Sequence, residues 1–383
     1  MKINKIAIDD NILIKNEVST AGSTSLKNFK PPFGATVVDR LLENGISDVI
    51  QTKPNEFGID LMQPFGCLNA VSAGEVEVGI GADIIGTIRG QASKSNLCFI
   101  KPTYGTVSRF GLVSMVPSME QIGVACKDIS LGFETLSKIA GFDEKDGTLV
   151  NRTKYEFTPS NINAQGAGNG EDLSGIKIGI PACGADFDEV KNMAAQLKEQ
   201  SAIVETFDFP LLDHVPRVTY VIAAAEMSNS ISRFDGIKFG YRTENFSNLE
   251  DIYINSRTES FTFETKFLTL IGMFVLSKEK YDEYFNQSQK IRRLIKEASN
   301  GIFSKYDAIL TSTSHMSANV VSDKSINSNV NDGVMLENFI NAYNDLKYLS
   351  LPNLIAAPVV SLSNGVQFIA KEFDENLLYK ICK

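Results

Sequence analysis

Hydrophobic and polar residues follow one another along the chain in patterns that predict strands interleaved with helices. Residues 6–8 form a short apolar run followed by the polar stretch 9–11, which is typical of a strand and its exit. Apolar residues recur at helical spacing over 35–44 and predict a helix that feeds a strand at 48–52. This order of elements favours an α/β fold.

A second unit of the same kind lies further along the chain. Isoleucines alternate with other residues over 176–180 and predict a half-buried strand that Pro181 ends. Residues 188–200 place their apolar side chains on one helical face, and 203–207 return as a strand. This order predicts parallel pairing through a right-handed crossover. Later patterns predict a helix over 281–298 and strands at 308–311 and 366–370.

Composition narrows the class of protein. The 383 residues include 37 Lys plus Arg and 46 Asp plus Glu, and the net charge of −9 argues against a surface that holds a nucleic-acid backbone. Five cysteines without CxxC spacing and two histidines are too few for a typical metal site, so we expect no metal and a reducing, cytoplasmic compartment. No stretch is long and apolar enough to span a membrane, so no membrane association is expected.

The stretch with the most unusual composition is 78–93, VGIGADIIGTIRGQAS. Four glycines and the hydroxyl of Thr87 lie among apolar residues there, which suits a tight loop that approaches a ligand. A phosphate-binding loop is excluded because Thr87 and Ile88 stand where that motif needs Lys followed by Ser or Thr. The dinucleotide fingerprint also fails at 79–81, since its third glycine is missing. Glycine content alone leaves a buried turn without chemistry as the alternative.

The order of several motifs points to a family. GADIIGTIRGQAS is followed by Lys-Pro-Thr-Tyr-Gly at 101–105, by VSRFGLV, and by Gln-Ile-Gly at 121–123. This series resembles the amidase signature family. Blocks at 225–228, 233–236 and 239–242 resemble in particular the A subunits of glutamyl-tRNA(Gln) amidotransferases.

The resemblance implies a fold and a domain organisation. The expected fold class is α/β, an amidase-signature fold with one large mixed β-sheet flanked by helices on both faces. Residues 1–383 are expected to form a single domain, in which the Gly- and Asn-rich stretch 161–175 is an internal linker-like loop. Relative to the family, we expect the chain to lack an N-terminal helical region and part of an active-site loop between Phe57 and Gly66.

The resemblance also implies a catalytic arrangement of Ser, bridging Ser and Lys. A buried, neutral Lys takes a proton through the bridging Ser so that the second Ser attacks an amide carbonyl, and backbone N–H groups of the glycine-rich turn hold the oxyanion. In this sequence the Lys position is Asp9, the bridging-Ser position is Gln63 and the nucleophile position is Thr87. The oxyanion turn consists of the backbone of Ile84, Ile85 and Gly86.

These substitutions predict a decayed glutaminase site. An exposed Asp has a pKa of about 3.9, against about 10.4 for Lys, so we expect Asp9 to be an anion of the opposite charge. Gln63 has no hydroxyl to pass a proton, and the extra methyl group of Thr87 stiffens its side chain. Phe267 and Leu268 replace an Arg pair suited to gripping a glutamine α-carboxylate, which argues against glutamine binding. A mechanism in which Asp9 acts as a base directly on Thr87 stays open.

The function implied by the resemblance is that of an A-subunit-like component of the tRNA-dependent amidotransferase that converts Glu-tRNA(Gln) to Gln-tRNA(Gln). Its role would be mainly structural. The expected partners are B- and C-type subunits; a partner would use ATP and Mg²⁺, the tRNA would be reached only through the complex, and this chain would hold no cofactor. Two alternatives stay open, namely a stand-alone amidase-like pseudoenzyme with a binding or regulatory role and an amidase of altered specificity.

Three residues outside the predicted site are interpreted as structural. Arg109 lies in a well-matched block and is expected to form a salt bridge or a subunit contact. Lys101 is expected at the surface or at an interface. Cys67 is interpreted as a packing residue, because no His partner lies nearby in the sequence.

Overall fold

A computed structural model describes residues 4–59, 65–149, 172–313 and 346–383. Its centre is one twisted layer of ten described strands. The strands are β1 (Lys5–Asp9), β2 (Asp48–Thr52), β3 (Val78–Asp83), β4 (Cys98–Lys101), β5 (Gln121–Cys126), β6 (Lys177–Pro181), β7 (Ile203–Phe207), β8 (Ala308–Ser312), β9 (Val359–Ser361) and β10 (Val366–Ala370). They lie side by side in the order β2-β1-β3-β5-β4-β9-β10-β8-β6-β7.

The sheet is parallel at its two ends and antiparallel in the middle. β1 pairs in parallel with β2 and β3, and β6 pairs in parallel with β7 and β8. Every pairing between β3 and β8 in the spatial order is antiparallel. The predicted strands at 6–8, 48–52, 176–180, 203–207, 308–311 and 366–370 are confirmed, and so is the parallel unit over 176–207.

Eleven α-helices surround the sheet in the described part of the chain. They are α1 (Thr36–Glu43), α2 (Gly66–Ser72), α3 (Thr87–Lys94), α4 (Ile129–Ile139), α5 (Asp188–Glu199), α6 (Val215–Ile231), α7 (Leu249–Ser260), α8 (Phe263–Val275), α9 (Gln287–Phe303), α10 (Lys347–Leu354) and α11 (Glu375–Cys382). The helix predicted over 281–298 begins with a π-helical turn at Tyr281–Asn286 and continues as α9.

Side chains that alternate along the strands divide the core between the two faces of the sheet. Ile309 of β8 packs in the cluster that contains α6, α8, α9 and α10, whereas Leu310 packs in the cluster that contains α1, α4 and α11. A period of two residues is what a strand requires when both of its faces are covered. Helices therefore flank a mixed sheet on both faces, and the predicted fold class is confirmed.

Two regions singled out in the sequence lie wholly or largely outside the described residues. Most of the predicted linker at 161–175, and Gln63, lie outside the described residues. Among the residues that are described, no helix combines the length and the apolar character needed to cross a membrane.

Candidate active site

The glycine-rich stretch folds as strand, turn and helix. β3 is buried along its whole length and leads into a turn at residues 84–86, after which α3 begins at Thr87. Gly86 has a φ of +97°, and a Cβ at this position would lie 2.5 Å from the carbonyl oxygen of Leu349. Only glycine fits both the left-handed conformation and this close approach. The turn therefore lies directly against α10.

A buried ion pair between Asp83 and Arg89 stabilises the turn. Asp83 Oδ1 accepts a hydrogen bond from the Gly86 N–H at 2.9 Å, and Asp83 Oδ2 accepts one from Arg89 Nε at 2.7 Å. The rest of the Arg89 guanidinium donates to Gln367 Oε1, to the Leu349 carbonyl and, at 2.6 Å, to Asn353 Oδ1. Both charged side chains are fully buried. Such a pair is favourable only when its remaining hydrogen-bonding groups find partners, and here they do.

Sequence reasoning did not select Asp83 and Arg89 as functional residues. The available signal was an Asp and an Arg on either side of a Gly-containing turn, six positions apart. Their acceptors and donors come largely from residues 349–367, which no local pattern connects to this turn.

Thr87, the predicted nucleophile position, is the first residue of α3 and is fully buried. Its Oγ1 has no hydrogen-bond partner within the part of the chain that the structure describes. In the turn before it, the N–H of Gly86 is occupied by Asp83, so it is not free to hold a substrate oxyanion. The side chains of Ile84 and Ile85 pack in the hydrophobic core, and the Ile85 carbonyl accepts from Ser350 Oγ at 2.9 Å.

Asp9, the predicted Lys position, is the last residue of β1, the strand that pairs with β3. Its Oδ1 accepts hydrogen bonds from the Cys67 N–H at 2.8 Å and from Thr52 Oγ1 at 2.9 Å. Cys67 lies in the first turn of α2, where N–H groups lack helical partners, so Asp9 satisfies the start of that helix. Its other oxygen, Oδ2, has no partner among the described residues.

The electrostatic state of Asp9 differs from the expectation. Burial raises the pKa of this carboxyl from 3.8 to about 7, and the nearby charge of Asp10 acts in the same direction. Hydrogen bonds from Cys67 and Thr52 favour the carboxylate and limit the rise. The expected anion is therefore present only in part at neutral pH, because burial brings the pKa of this carboxyl to about 7.

Gly81 of β3 is the point where the two halves of the predicted site meet. A Cβ on this residue would lie 3.1 Å from Asp9 Oδ2, 3.0 Å from Cys67 Sγ and 2.7 Å from Ile88 Cδ1. The end of β1 and the start of α3 thus approach each other over a glycine. Asp9 Oδ2 and Thr87 Oγ1 both lack partners among the described residues, so no hydrogen bond joins them. Gln63 lies outside the described residues.

Around this centre, the structure tests three further expectations. Arg109 forms a salt bridge with the buried Glu120 at 3.1 Å, and the structural interpretation is confirmed. Cys67 is fully buried among apolar side chains, so its packing role is confirmed too. The expectation that Lys101 lies at the surface or at an interface is wrong, because its side chain is 1% exposed within this chain and donates to two backbone carbonyls.

The region in which Phe267 and Leu268 stand at the positions of the expected Arg pair is apolar in the structure. Leu268 of α8 is buried in the core, and the ring of Phe267 stacks on Phe263 with 5.9 Å between centroids. No group of three or more His, Cys, Asp or Glu side chains in the described ranges is arranged to hold a metal ion. The arrangement presents one carboxyl that titrates near neutral pH and one hydroxyl, separated rather than bonded.

Comparisons with known proteins agree with this architecture. The sequence model of the family described as Amidase matches residues 66–379, which include the turn and α3. The chain is 35% identical to the glutamyl-tRNA(Gln) amidotransferase A subunit of Lachnoclostridium phytofermentans, over 94% of this chain and 75% of that protein. It is 34% identical to the protein of the same name from Enterococcus faecalis, over 98% of this chain and 80% of that protein.

Solved structures show the same fold. The crystal structure of the glutamyl-tRNA(Gln) amidotransferase A subunit from Thermotoga maritima superposes with a TM-score of 0.70 and 28% identity, covering 98% of this chain and 81% of that chain. A 6-aminohexanoate cyclic dimer hydrolase superposes with a TM-score of 0.76 at 16% identity, over 98% of this chain and 83% of that one, and supports the fold alone. Family model and relatives match most of the sequence, and the chain therefore belongs to the amidase family.

Proposed function

We propose that the chain is an A-subunit-like component of a tRNA-dependent amidotransferase that converts Glu-tRNA(Gln) to Gln-tRNA(Gln) in the cytoplasm. The observation that carries this proposal is the similarity to proteins named as that component, which extends over 94–98% of the chain. B- and C-type subunits are its proposed partners. A partner would use ATP and Mg²⁺ and would handle the tRNA, which agrees with the net charge of −9 on this chain.

We further propose that the glutaminase site has decayed and that the role of the chain is mainly structural. Nucleophilic attack on an amide needs a hydroxyl bonded to a base. Thr87 Oγ1 lacks such a bond within the described chain, and Asp9 commits one carboxyl oxygen to Cys67 and Thr52. Loss of key members of comparable catalytic sets lowers turnover by roughly 10⁴ to 10⁶.

The nitrogen source separates these two proposals. The full chain is co-expressed with B- and C-type subunits, and the purified complex is assayed for Glu-tRNA(Gln) amidation with ATP and Mg²⁺. We expect amidation with ammonium chloride and none with glutamine, at a rate that Thr87→Ala leaves unchanged. Failure to co-purify with either subunit would contradict the subunit role and favour the stand-alone pseudoenzyme. Glutamine-dependent amidation would contradict only the decayed site.

One observation favours a second candidate, an amidase of altered specificity. A pKa of about 7 at Asp9 is close to the value that suits a general base at neutral pH. Thr87 Oγ1 and Asp9 Oδ2 both lack partners among the described residues, and a hydrogen bond between them would supply the missing pair of base and nucleophile. Ammonia release from asparagine or simple amides that is abolished by both Thr87→Ala and Asp9→Asn would support this candidate. Inactivity of the unmodified protein toward these amides would exclude it under those conditions.

A further inference from the structure

The end of α10 and the short segment that follows it, up to residue 357, accept hydrogen bonds from three basic side chains on two other elements, α9 and β4. The last carbonyls of a helix have no partners within the helix and carry the negative end of its dipole, so they attract cationic donors. Arg292 Nε donates to the carbonyl of Leu354, the last residue of α10, at 2.9 Å, and Lys296 Nζ donates to the carbonyl of the next residue, Ile355. Lys101 Nζ donates at 2.6 Å to the carbonyl of Ala357, which lies beyond the helix and whose N–H bonds back to the Pro352 carbonyl of α10 at 2.9 Å.

This end of α10 is coupled to the turn at residues 84–86. The opposite part of the short helix supplies the Leu349 carbonyl, which touches Gly86 and accepts from Arg89. Ser350 Oγ donates to the Ile85 carbonyl at 2.9 Å. Because α10 spans only eight residues, a displacement of its C-terminal end moves the contacts that support the turn.

The three basic groups differ in whether a negative charge lies within salt-bridge distance and in whether they can lose their proton. Arg292 keeps its proton at all relevant pH values. Lys296 pairs with Glu372 at 2.7 Å. Lys101 is 1% exposed, and its two acceptors in the described part of the chain are the neutral carbonyls of Ala357, at 2.6 Å, and Pro102, at 3.1 Å. An uncharged amine has two N–H groups, which match these two acceptors, whereas an ammonium has three.

The charged groups around Lys101 come from four elements. Asp83 on β3 and Glu375 on α11 favour its protonated form, and Arg89 on α3 and Lys296 on α9 disfavour it. Burial is the largest influence and lowers the pKa of the amine from 10.5 to about 7. Glu375 already accepts from the Thr103 N–H at 2.8 Å, and Asp83 is paired with Arg89.

We propose that Lys101 is a proton-sensitive latch, which as a neutral amine keeps α10 seated against the turn and which on protonation favours release of α10 and of the turn. The proposal concerns the frame of the site and does not depend on whether the glutaminase is active. The latch links a buried amine on β4 to a turn that follows β3, with β5 between these two strands in the sheet order.

The direction of the pH effect follows from linkage. An exposed lysine keeps its proton at both pH 6 and pH 8, whereas the closed form releases most of its proton across this interval. The closed form therefore binds fewer protons than the open form, and it loses stability relative to the open form as the pH falls. The open form, with an exposed lysine, stays protonated at both pH values, whereas the closed form with a pKa near 7 is mostly protonated at pH 6 and mostly neutral at pH 8. The equilibrium between the closed and the open form therefore shifts roughly tenfold toward the closed form between pH 6 and pH 8, and amide protection rises by the same factor.

Hydrogen exchange of the full chain tests the latch. Exchange is measured at pH 6 and pH 8 and corrected for the intrinsic pH dependence of amide exchange. We expect roughly tenfold greater protection at pH 8 for amides of the turn, α3 and α10, with no such gain in β6 and β7. Lys101→Met should remove this pH response. Lys296→Met should keep the response and shift its midpoint upward, because a like charge is removed.

Three outcomes would overturn the proposal. One is equal protection of α10 at both pH values in the unmodified protein. Another is an equal gain in β6 and β7, which would assign the effect to global unfolding. The third is a pH response that persists in Lys101→Met. Should that variant fail to fold, the midpoint shift in Lys296→Met decides, and an unchanged midpoint would count against Lys101 as the titrating group.

Discussion

The two sides of the candidate site differ in whether their buried polar groups have hydrogen-bond partners. On the side of the turn, both oxygens of Asp83 have donors and the guanidinium of Arg89 reaches four acceptors. On the side of β1, Asp9 Oδ2, Asp10 Oδ1 and Asn11 Oδ1 are buried and lack partners among the described residues. The polar groups that fix the backbone of the turn all have partners, whereas those at the predicted base position do not.

This contrast indicates which part of the fold is under physical constraint. Leaving a buried polar group without a partner costs about 1–3 kcal/mol, more for a charged one. Substitution of one residue in a network whose polar groups all have partners leaves another buried group unpaired and lowers the stability of the fold. Where the polar groups already lack partners, a substitution removes fewer hydrogen bonds and should cost less stability. Substitutions on the two sides should differ accordingly.

The largest effect is expected for Arg89→Met. Removal of one partner from a buried ion pair leaves Asp83 uncompensated and should lower the free energy of unfolding by roughly 3–5 kcal/mol. Arg293→Met is the matched control: Arg293 is 81% exposed in its pair with Glu297, so this substitution should leave the free energy of unfolding almost unchanged. Urea denaturation measures both. Equal losses would contradict the contrast.

The next largest effect is expected in the pH dependence of stability and is due to Asp9. Its pKa is about 7 in the folded chain and 3.8 in the reference state, so the folded form binds the extra proton between these values. The contribution of this residue to stability is therefore lost as the pH rises from about 4 to 7. Asp9→Asn should become more stable than the unmodified protein over this range, by up to about 4 kcal/mol. A stability difference that stays flat from pH 4 to 8 would show that Asp9 is not the group responsible.

Alanine substitutions at two glycines distinguish the cost of backbone strain from the cost of a steric clash. Gly86 and Gly45 both have positive φ values, +97° and +85°, but a Cβ on Gly45 would meet nothing within 4 Å. Both alanine variants carry the cost of the left-handed conformation, about 1–2 kcal/mol. Gly86→Ala should lose about 2 kcal/mol more, since its Cβ would overlap Leu349. Thermal or urea denaturation gives the difference, and equal costs would mean that α10 yields to the turn.

The smallest effect distinguishes two buried threonines. Thr87 Oγ1 has no partner in the described chain, so Thr87→Val should be neutral or stabilising by up to about 1 kcal/mol. Thr311 Oγ1 accepts from Gln367 Nε2 at 3.0 Å, and Thr311→Val should cost about 1–3 kcal/mol because one of the two N–H groups of that amide then lacks its partner, while the other still donates to the Tyr348 carbonyl. A Thr87→Val variant as destabilised as Thr311→Val would reveal a hydrogen bond at the predicted nucleophile position.

The order of elements could be predicted from the sequence because strand and helix periods are local. The strand at 6–8 and the β-α-β unit over 176–207 needed only short windows of sequence. The turn at 84–86 could be placed by resemblance. The ionisation of Asp9 and the burial of Lys101 could not, since both depend on which distant segments cover them. A polar residue in a strand has no local mark that shows whether its neighbours in space are water or carbonyls.

Arg89 also constrains the timing of assembly during synthesis. Its Nε partner, Asp83, is six residues away, but its acceptor on Gln367 follows it by 278 positions. At about 5–20 residues per second, the ribosome needs roughly 14–56 s to make that interval. During this time the N-terminal strands exist with an unfinished polar centre and with β3 lacking the helix that later covers its turn. Nascent chains in this state expose groups that are buried in the folded protein, and such exposure favours aggregation until the C-terminal part of the chain arrives.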